Sequence, residues 1–292
     1  MAAGPLEDHI QLEGPLDVEA TLYSGQAFRW RRGDQGWHDG FVRNHPVRIR
    51  KENDELRWRS ARPMKPQHMA HYFRLDDSHD AFLRSAPRDP FLQTALARFP
   101  GLRLLRQDPW EIFISFIISQ NSNEAKIRRT IEDLCRRAGP KATFDNQTLH
   151  AFPPPARLAA LSEKELRATG MGYRAPFIHA AANLVATGTL EPHRWATRPY
   201  EDVFGELLEV PGIGEKVADC ILLYGCDHRR AFPSDVWVRR FVKETYLRTR
   251  TRTSHSAIRD FAWRHFGEDA GYAQHYLFHY RRRVGALAAS PS

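Results

Sequence analysis

Cysteine is scarce in this chain. Only Cys135, Cys220 and Cys226 occur among 292 residues. An odd number of cysteines at these separations fits neither a disulfide framework nor a four-ligand zinc site. The sequence therefore predicts a fold held by a packed core in a reducing compartment, with no metal site.

Long apolar segments are also missing. No run reaches the roughly 18 apolar residues that a membrane-spanning helix requires. The first segment, MAAGPLEDHIQLEG, contains acids and lacks the apolar stretch of a secretory signal. There is no low-complexity tract and no internal repeat. We therefore expect an intracellular protein with no membrane partner.

Negative charge is in deficit. The chain has 35 Asp and Glu against 43 Lys and Arg, so its formal net charge is +8. Such a surplus favours a polyanionic partner, and the planar fork of arginine suits phosphate oxygens. Solubility alone is the alternative explanation. The charge balance favours nucleic acid as the partner.

Two different residue patterns, one in each part of the sequence, predict an α+β fold. Residues 1–85 show alternating apolar and polar residues with many aromatics, in AFRWRR, GWHDGFV and PVRIRKENDELRWRS, and turn signals at Gly33-Asp34 and Asn53-Asp54. This pattern indicates an N-terminal antiparallel β-sheet domain with hairpins. Residues 86–292 carry helical segments separated by proline and glycine, and they predict an all-helical body.

Several signals locate the helices of that body. Asp108-Pro109 should open an apolar and therefore central helix, and Ser162 and Glu165 form a capping-box pattern. A helix–hairpin–helix is expected near residues 200–225. A further helix is expected from residue 235, with Asp235 at its N-cap.

The hairpin is predicted by Pro211-Gly212-Ile213-Gly214, between two apolar helical segments. Two glycines one residue apart allow a tight turn and bring backbone N–H groups close to a partner. At a helix N-terminus such donors form an anion site, and phosphate is the obvious anion. An ordinary interhelical turn is the alternative. Together with the basic composition, the motif favours a grip on a nucleic-acid backbone through Gly212 and Gly214.

Lys216 follows this turn, where the positive end of the helix dipole disfavours a cation. A partly desolvated lysine in that position is more readily a free, nucleophilic amine. Beside a deoxyribose, it can displace the base at C1′ and form a Schiff base. That chemistry needs a carboxylate to stabilise the cationic sugar, and Asp235 is the candidate. A solvated surface lysine and a plain N-cap are the alternatives.

At this point the sequence resembles the 8-oxoguanine DNA glycosylase/AP lyases of the helix–hairpin–helix DNA glycosylase superfamily. The matching stretches occur in the family's order and cover most of the chain: GQAFRW from Gly25, SFIISQNSNEAKIRR from Ser115, MGYRA from Met171, VPGIGEKVADCILLYG from Val210, PSDVWVRRF from Pro233 and YAQHYLF from Tyr272. Within the superfamily, the lysine implies a bifunctional enzyme.

The resemblance implies roles for the lesion-binding residues. Gly25 would present its carbonyl to the N7–H group of 8-oxoguanine, where guanine has a lone pair instead. Phe278 and Cys220 would sandwich the flipped base, and Gln274 would contact its Watson–Crick edge. Without the resemblance, a core phenylalanine, a small buried thiol, a solvated glutamine and a turn glycine are the ordinary interpretations.

The resemblance also implies how the duplex is held. Asn121 would fill the gap left by the flipped base, and Tyr173 and Arg174 would wedge the duplex and contact the orphaned cytosine. Lys126 stands where eukaryotic members usually have an arginine, and the resemblance therefore implies weaker selection of cytosine, because lysine lacks the bidentate fork. Trp237 replaces a phosphate-contacting histidine.

The implied function is excision of 8-oxoguanine from double-stranded DNA by a monomeric base-excision-repair enzyme, through a Schiff base and β-elimination. No cofactor or metal is expected, although a monovalent cation could lie between the hairpin carbonyls and a phosphate. The chain lacks the four-cysteine cluster of the iron–sulfur endonucleases. The alternatives are a glycosylase of the same fold for alkylated purines and a non-catalytic DNA-binding protein.

Overall fold

The amino-terminal part forms a five-stranded antiparallel sheet with strand order β1-β5-β4-β3-β2. The computed structural model describes residues 6–77, 82–84, 86–249, 251 and 253–284, so the predicted domain boundary at residue 85 lies outside the described residues. The strands are β1 (Leu6–Gln11), β2 (Arg31–Arg32), β3 (His38–Val42), β4 (His45–Glu52) and β5 (Glu55–Ser60).

The central pair of strands explains why this segment forms a sheet. In β4 and β5 alternate side chains are buried, and Ile49 lies opposite Trp58. Because successive side chains of a strand point to opposite faces, the pairing buries one face in a cluster with Leu22 and Phe73. The predicted antiparallel sheet and its hairpin at Asn53-Asp54 are confirmed.

Two details of the sheet differ from the sequence-based expectation. AFRWRR contributes only the two residues of β2. Upstream of β2, Trp30 packs its indole against Gly40, where an added methyl group would lie 2.3 Å from the ring, and donates to the Tyr72 hydroxyl at 2.8 Å. In addition, β1 was not expected, because this mostly exposed edge strand lacks the apolar alternation that marks a half-buried strand.

The rest of the chain is mainly helical. No helix in the described residues is long and apolar enough to cross a membrane. The helices are α1 (Val18–Leu22), α2 (Pro66–Tyr72), α3 (Pro90–Arg98), α4 (Pro109–Ser119), α5 (Glu124–Ala138), α6 (Pro155–Ala159), α7 (Glu163–Leu166), α8 (Ala175–Ala186), α9 (Tyr200–Leu208), α10 (Glu215–Gly225), α11 (Val236–Phe241), α12 (His255–Phe266) and α13 (Ala270–Val284).

Helix starts and the central helix follow the sequence signals. Asp108 caps α4 by accepting the Glu111 N–H at 3.0 Å, and every side chain from 112 to 118 is buried. The capping box of Ser162 and Glu165 is present at α7. The predicted class, an antiparallel sheet domain followed by a helical body with a helix–hairpin–helix, is therefore confirmed.

The helical body also contains a two-stranded ribbon that the sequence interpretation did not anticipate. Its strands, β6 (Lys141–Phe144) and β7 (Gln147–His150), are antiparallel. The ribbon and the residues after it contact the first sheet: Arg48 donates to Asp145 at 3.1 Å, and the Asn44 side chain exchanges two hydrogen bonds with the Phe152 backbone. These contacts join the two parts of the chain.

A buried hydrogen bond links the two helices of the hairpin motif. Tyr200 of α9 donates its hydroxyl to Asp219 of α10 at 2.7 Å, and Arg259 of α12 lies 3.9 Å from the same carboxylate. Burial outweighs these favourable contacts and raises the pKa of Asp219 to about 6. The ionised form of Asp219, which dominates near neutral pH, is therefore less favourable in the folded state than in the unfolded chain.

We expect Asp219 to make stability depend on pH in a defined direction. A raised pKa means that the folded state holds a proton more tightly, so the stabilisation is present at low pH and is lost as pH rises through about 6. The unfolding free energy of the wild type minus that of Asp219→Asn should fall by on the order of 2 kcal/mol between about pH 4.5 and about pH 7. Urea unfolding measures both values. A difference that rises with pH would contradict this account.

Candidate active site

Lys216 lies in the first turn of α10, after the N-cap Gly214, and is half-buried. Its Nζ atom stands 5.6 Å from the centroid of the Phe116 ring, a favourable position for a cation. One turn later, Cys220 is buried on the same face. Burial raises the pKa of its thiol to about 11, against the lowering effect of the charge and hydrogen bond of Lys216. The amine is thus held between an aromatic ring and a neutral thiol.

Asp235 is the N-cap of α11, as predicted, and accepts the Val238 N–H at 2.7 Å. Its charge, like that of Lys216, acts on the Cys220 thiol. After burial, which dominates, Asp235 contributes to raising the pKa of Cys220 and of Tyr224. The carboxylate and the amine therefore both lie near Cys220, although they are far apart in sequence.

Among the predicted lesion-binding residues, Gly25 and Gln274 each contact another part of the candidate site. Gly25 has φ +92°, and a methyl group placed on it would lie 3.8 Å from Cε1 of Phe278. Gln274 is buried on α13 and donates from Nε2 to the Pro233 carbonyl at 3.0 Å. The structure thus brings Gly25 to Phe278, and Gln274 to the loop that ends at Asp235.

Two side chains that the sequence interpretation did not single out fix the Gly25 loop. Gln26 is fully buried, donates to the Arg103 carbonyl at 2.8 Å and accepts the Leu105 N–H at 2.8 Å. Arg128 donates to the Trp30 carbonyl at 2.6 Å and pairs with Glu124 at 2.7 Å. The i,i+4 spacing of Glu124 and Arg128 is the sequence pattern that could have indicated this ion pair. No local pattern predicted the partners of Gln26.

The predicted duplex contacts lie around the end of α4. Asn121 is exposed with φ +46°, and its Nδ2 atom donates to the hydroxyl of Tyr173 at 2.9 Å. The Tyr173 side chain is 48% exposed. Lys126 is exposed on α5. Asn121, Tyr173 and Lys126 can therefore reach a partner on the surface.

Arg174 has a different environment. It is 4% exposed, and its guanidinium donates to three backbone carbonyls, those of Gln120 at 2.7 Å, Met171 at 3.1 Å and Asn121 at 3.1 Å. These bonds fix the loop that presents Asn121. Contact with an orphaned cytosine would require Arg174 to give them up, so here it supports the loop from behind.

The two hairpin glycines differ in the room around them. Gly212 has φ +83°, and a methyl group on it would lie 2.4 Å from Cδ2 of Phe177. Gly214 has φ −108°, is exposed, and has no heavy atom within 4 Å of an added methyl group. Gly212 is thus required by packing and backbone conformation, whereas Gly214 leaves the start of α10 open to an anion.

Trp237 takes a packing position. It is half-buried, stacks on Phe241 with ring centroids 5.3 Å apart, and has the Arg281 guanidinium 5.9 Å from its centroid. The indole therefore joins α11 to α13 beside Asp235.

Comparisons with known proteins agree with this geometry. Residues 10–113 match the 8-oxoguanine DNA glycosylase N-terminal domain, and residues 114–265 match the HhH-GPD superfamily of base excision DNA repair proteins. The "Probable N-glycosylase/DNA lyase" of Methanothermobacter thermautotrophicus is 34% identical over 94% of this chain and 96% of its own. The Saccharomyces cerevisiae N-glycosylase/DNA lyase is 29% identical, over 94% of this chain and 85% of its own.

A solved structure extends the likeness to three dimensions. The Clostridium acetobutylicum 8-oxoguanine glycosylase/lyase, in complex with double-stranded DNA that contains cytosine opposite 8-oxoguanine, superposes with a TM-score of 0.87. It is 28% identical and covers 98% of this chain and 100% of its own. The chain belongs to the HhH-GPD superfamily of base excision DNA repair proteins. Within it, the chain carries the N-terminal domain of the 8-oxoguanine DNA glycosylases, and the predicted resemblance is confirmed.

The two glycines give a matched test of the hairpin. Gly212→Ala should lower the unfolding free energy by about 1–3 kcal/mol, because the methyl group meets Phe177 at an unfavourable φ. Gly214→Ala keeps the backbone N–H and should leave stability unchanged, but its methyl group would occupy the open space at the start of α10 and keep a phosphate from the N–H groups there, so duplex binding should weaken by about tenfold. Urea unfolding and fluorescence anisotropy measure the two effects. Unchanged duplex binding by Gly214→Ala would contradict the anion site.

Proposed function

We propose that the protein is a bifunctional DNA glycosylase and AP lyase that excises 8-oxoguanine paired with cytosine. The observation that carries this proposal is the position of Lys216, a half-buried amine at the open start of α10, near the thiol of Cys220 on which the charge of Asp235 also acts. A phosphate clamp would need neither an amine against an aromatic ring nor a carboxylate beside it. The family membership and the named relatives support the same activity.

The proposed reaction begins when the Lys216 amine attacks C1′ of the flipped nucleotide. The bond from C1′ to the base breaks, and the base leaves as it takes up a proton. Asp235 stabilises the positive charge that develops on the sugar, and its N-cap bond to Val238 holds it in place. Opening of the sugar ring gives the imine between Nζ and C1′. Loss of a C2′ proton then breaks the bond from C3′ to its oxygen, and the strand is cut.

Selection of the lesion is proposed to depend on hydrogen-bond polarity. The Gly25 carbonyl would accept N7–H, which guanine lacks, while Cys220 and Phe278 cover the two faces of the base. Within the described residues, the buried Oε1 atom of Gln274 has no hydrogen-bond partner. An open acceptor suits the N1–H and N2–H donors of the Watson–Crick edge. A buried mismatch at N7 would cost normal guanine about 1–3 kcal/mol.

Duplex DNA would lie across the surface that carries Asn121, Tyr173 and Lys126, with the phosphate backbone at Gly212 and Gly214. Asn121 and Tyr173, already hydrogen-bonded, would occupy the gap left by the flipped nucleotide. The proposed reaction needs no cofactor or metal, and a monovalent cation at the hairpin carbonyls is a further proposal. We place this monomeric enzyme inside the cell, in the cytoplasm or nucleoid of a bacterium or the nucleus of a eukaryote.

Borohydride trapping tests the proposal. We expect a covalent adduct with a duplex that holds 8-oxoguanine opposite cytosine, because borohydride reduces the imine to a stable amine. An undamaged duplex and one with an alkylated purine should give none. Lys216→Gln should form no adduct with any duplex. Denaturing electrophoresis of labelled DNA measures the adduct.

Asp235→Asn is the companion variant. Asparagine caps a helix as well as aspartate does, so folding should be preserved while base release falls by about 100-fold or more. An adduct with the alkylated duplex alone would identify a glycosylase for that lesion. Tight, strongly salt-dependent binding to all three duplexes without any adduct would identify a non-catalytic DNA-binding protein.

A further inference from the structure

Arg282 lies at the edge of the lesion pocket and has no role in the proposed reaction. It follows Phe278 by one turn of α13, so both side chains share a face of the helix. Its guanidinium carbon is 5.7 Å from the centroid of the Phe278 ring. A methyl group placed on Gly25 would lie 2.7 Å from its Nη1 atom. A charged donor thus stands beside both Gly25 and Phe278, which are proposed to contact the flipped base.

Glu124 holds the guanidinium at this place. The Nη2 atom of Arg282 donates to Glu124 at 2.6 Å, and the other carboxylate oxygen of Glu124 accepts from Arg128 at 2.7 Å. Although burial raises it, the two arginines hold the pKa of Glu124 below its usual range. Because Arg128 also binds the Trp30 carbonyl, one carboxylate connects α13, α5 and the segment that follows Gly25.

The Arg282 side chain is accessible to a bound base. Arg282 is 38% exposed, so a base that enters the pocket can reach it. The charge of Arg282 also acts on Tyr224, which Asp235 influences as well. Arg282 and the proposed catalytic carboxylate therefore both lie near Tyr224.

The chemistry of the lesion matches such a donor. On 8-oxoguanine the N7–H group is flanked by two exocyclic oxygens, O6 and O8, both hydrogen-bond acceptors. A guanidinium has only donors and keeps its charge at any physiological pH. If the Gly25 carbonyl accepts N7–H, a donor next to Gly25 faces one of the flanking oxygens.

We propose that Arg282 is a lesion-contacting residue, whose guanidinium donates to an exocyclic oxygen beside N7 of the flipped 8-oxoguanine, and that Glu124 is its positioning residue. This inference rests on the proposed function, because it requires the base to lie between Cys220 and Phe278. Under this proposal the lesion is contacted by two groups: the Gly25 carbonyl, which distinguishes 8-oxoguanine from guanine, and the charged donor of Arg282.

Two single-turnover rates test this proposal. One is release of 8-oxoguanine opposite cytosine, and the other is cleavage at a preformed abasic site opposite cytosine, where no base is present to contact. Arg282→Met keeps the aliphatic stem and removes the donors. It should slow base release by about tenfold or more, as for one charge-assisted hydrogen bond, and cleave the abasic strand at the wild-type rate.

Arg283→Met is the matched control, since it removes the same charge from the next, exposed position of α13. It should keep both wild-type rates. Arg282→Met would overturn the proposal by releasing the base at the wild-type rate, or by losing both rates equally, which would indicate a role in folding or general DNA binding. A wild-type enzyme that cleaves abasic DNA but releases no 8-oxoguanine would instead contradict the proposed function.

Glu124→Gln tests the positioning role. It keeps the shape of the side chain and removes the charge that orients Arg282. We expect a smaller loss of base release than in Arg282→Met, and a double variant no slower than Arg282→Met alone, because both changes act through one contact. If the losses in the rate of base release add up in the double variant, Glu124 does not act through Arg282.

Discussion

The packing of α10 against the central helix α4 is the constraint on which the candidate site depends. Phe116 of α4 stacks on Tyr224 of α10 with ring centroids 5.4 Å apart, meets Phe28 edge-on at 5.6 Å and lies under the Lys216 amine. Next to Tyr224, an added methyl group on Gly225 would lie 3.0 Å from Ile112. Because the C-terminal end of α10 is fixed against α4 and the helix is continuous, the position of its first turn, and therefore of the amine, follows from the core.

The candidate catalytic and lesion-binding groups stand where regular structure ends. Lys216 is in the first turn of α10, Asp235 caps α11, and Gly25 lies in a loop before β2. Helix ends leave backbone groups without intrahelical partners, so they can bind phosphate or fix a carboxylate. Rigid helices thus position groups that remain open to a large substrate, and Gln26 and Arg128 give the Gly25 loop a comparable rigidity.

Much of the fold, and the helix cap at Asp235 in the candidate site, could be predicted from the sequence, because local patterns specify them. Helix caps such as Asp108 and Asp235, and the apolar run of α4, depend on neighbours within a few residues. The ribbon β6–β7 and the burial of Arg174 could not be predicted. The ribbon's short strands depend on contacts with a distant sheet, and the surroundings of Arg174 are backbone carbonyls brought together only by folding. The Glu124–Arg282 pair joins residues 158 positions apart, which no periodicity can indicate.

The central claim is that the amine of Lys216, and no other amine of the chain, bonds to the sugar. Mass spectrometry of the proteolysed borohydride adduct measures this directly. The account predicts that the sugar remnant is found on the peptide that contains Lys216, with the added mass on that side chain. A remnant on another lysine or on the α-amino group would contradict the account, and Lys216 would then be a cation that serves the phosphate backbone.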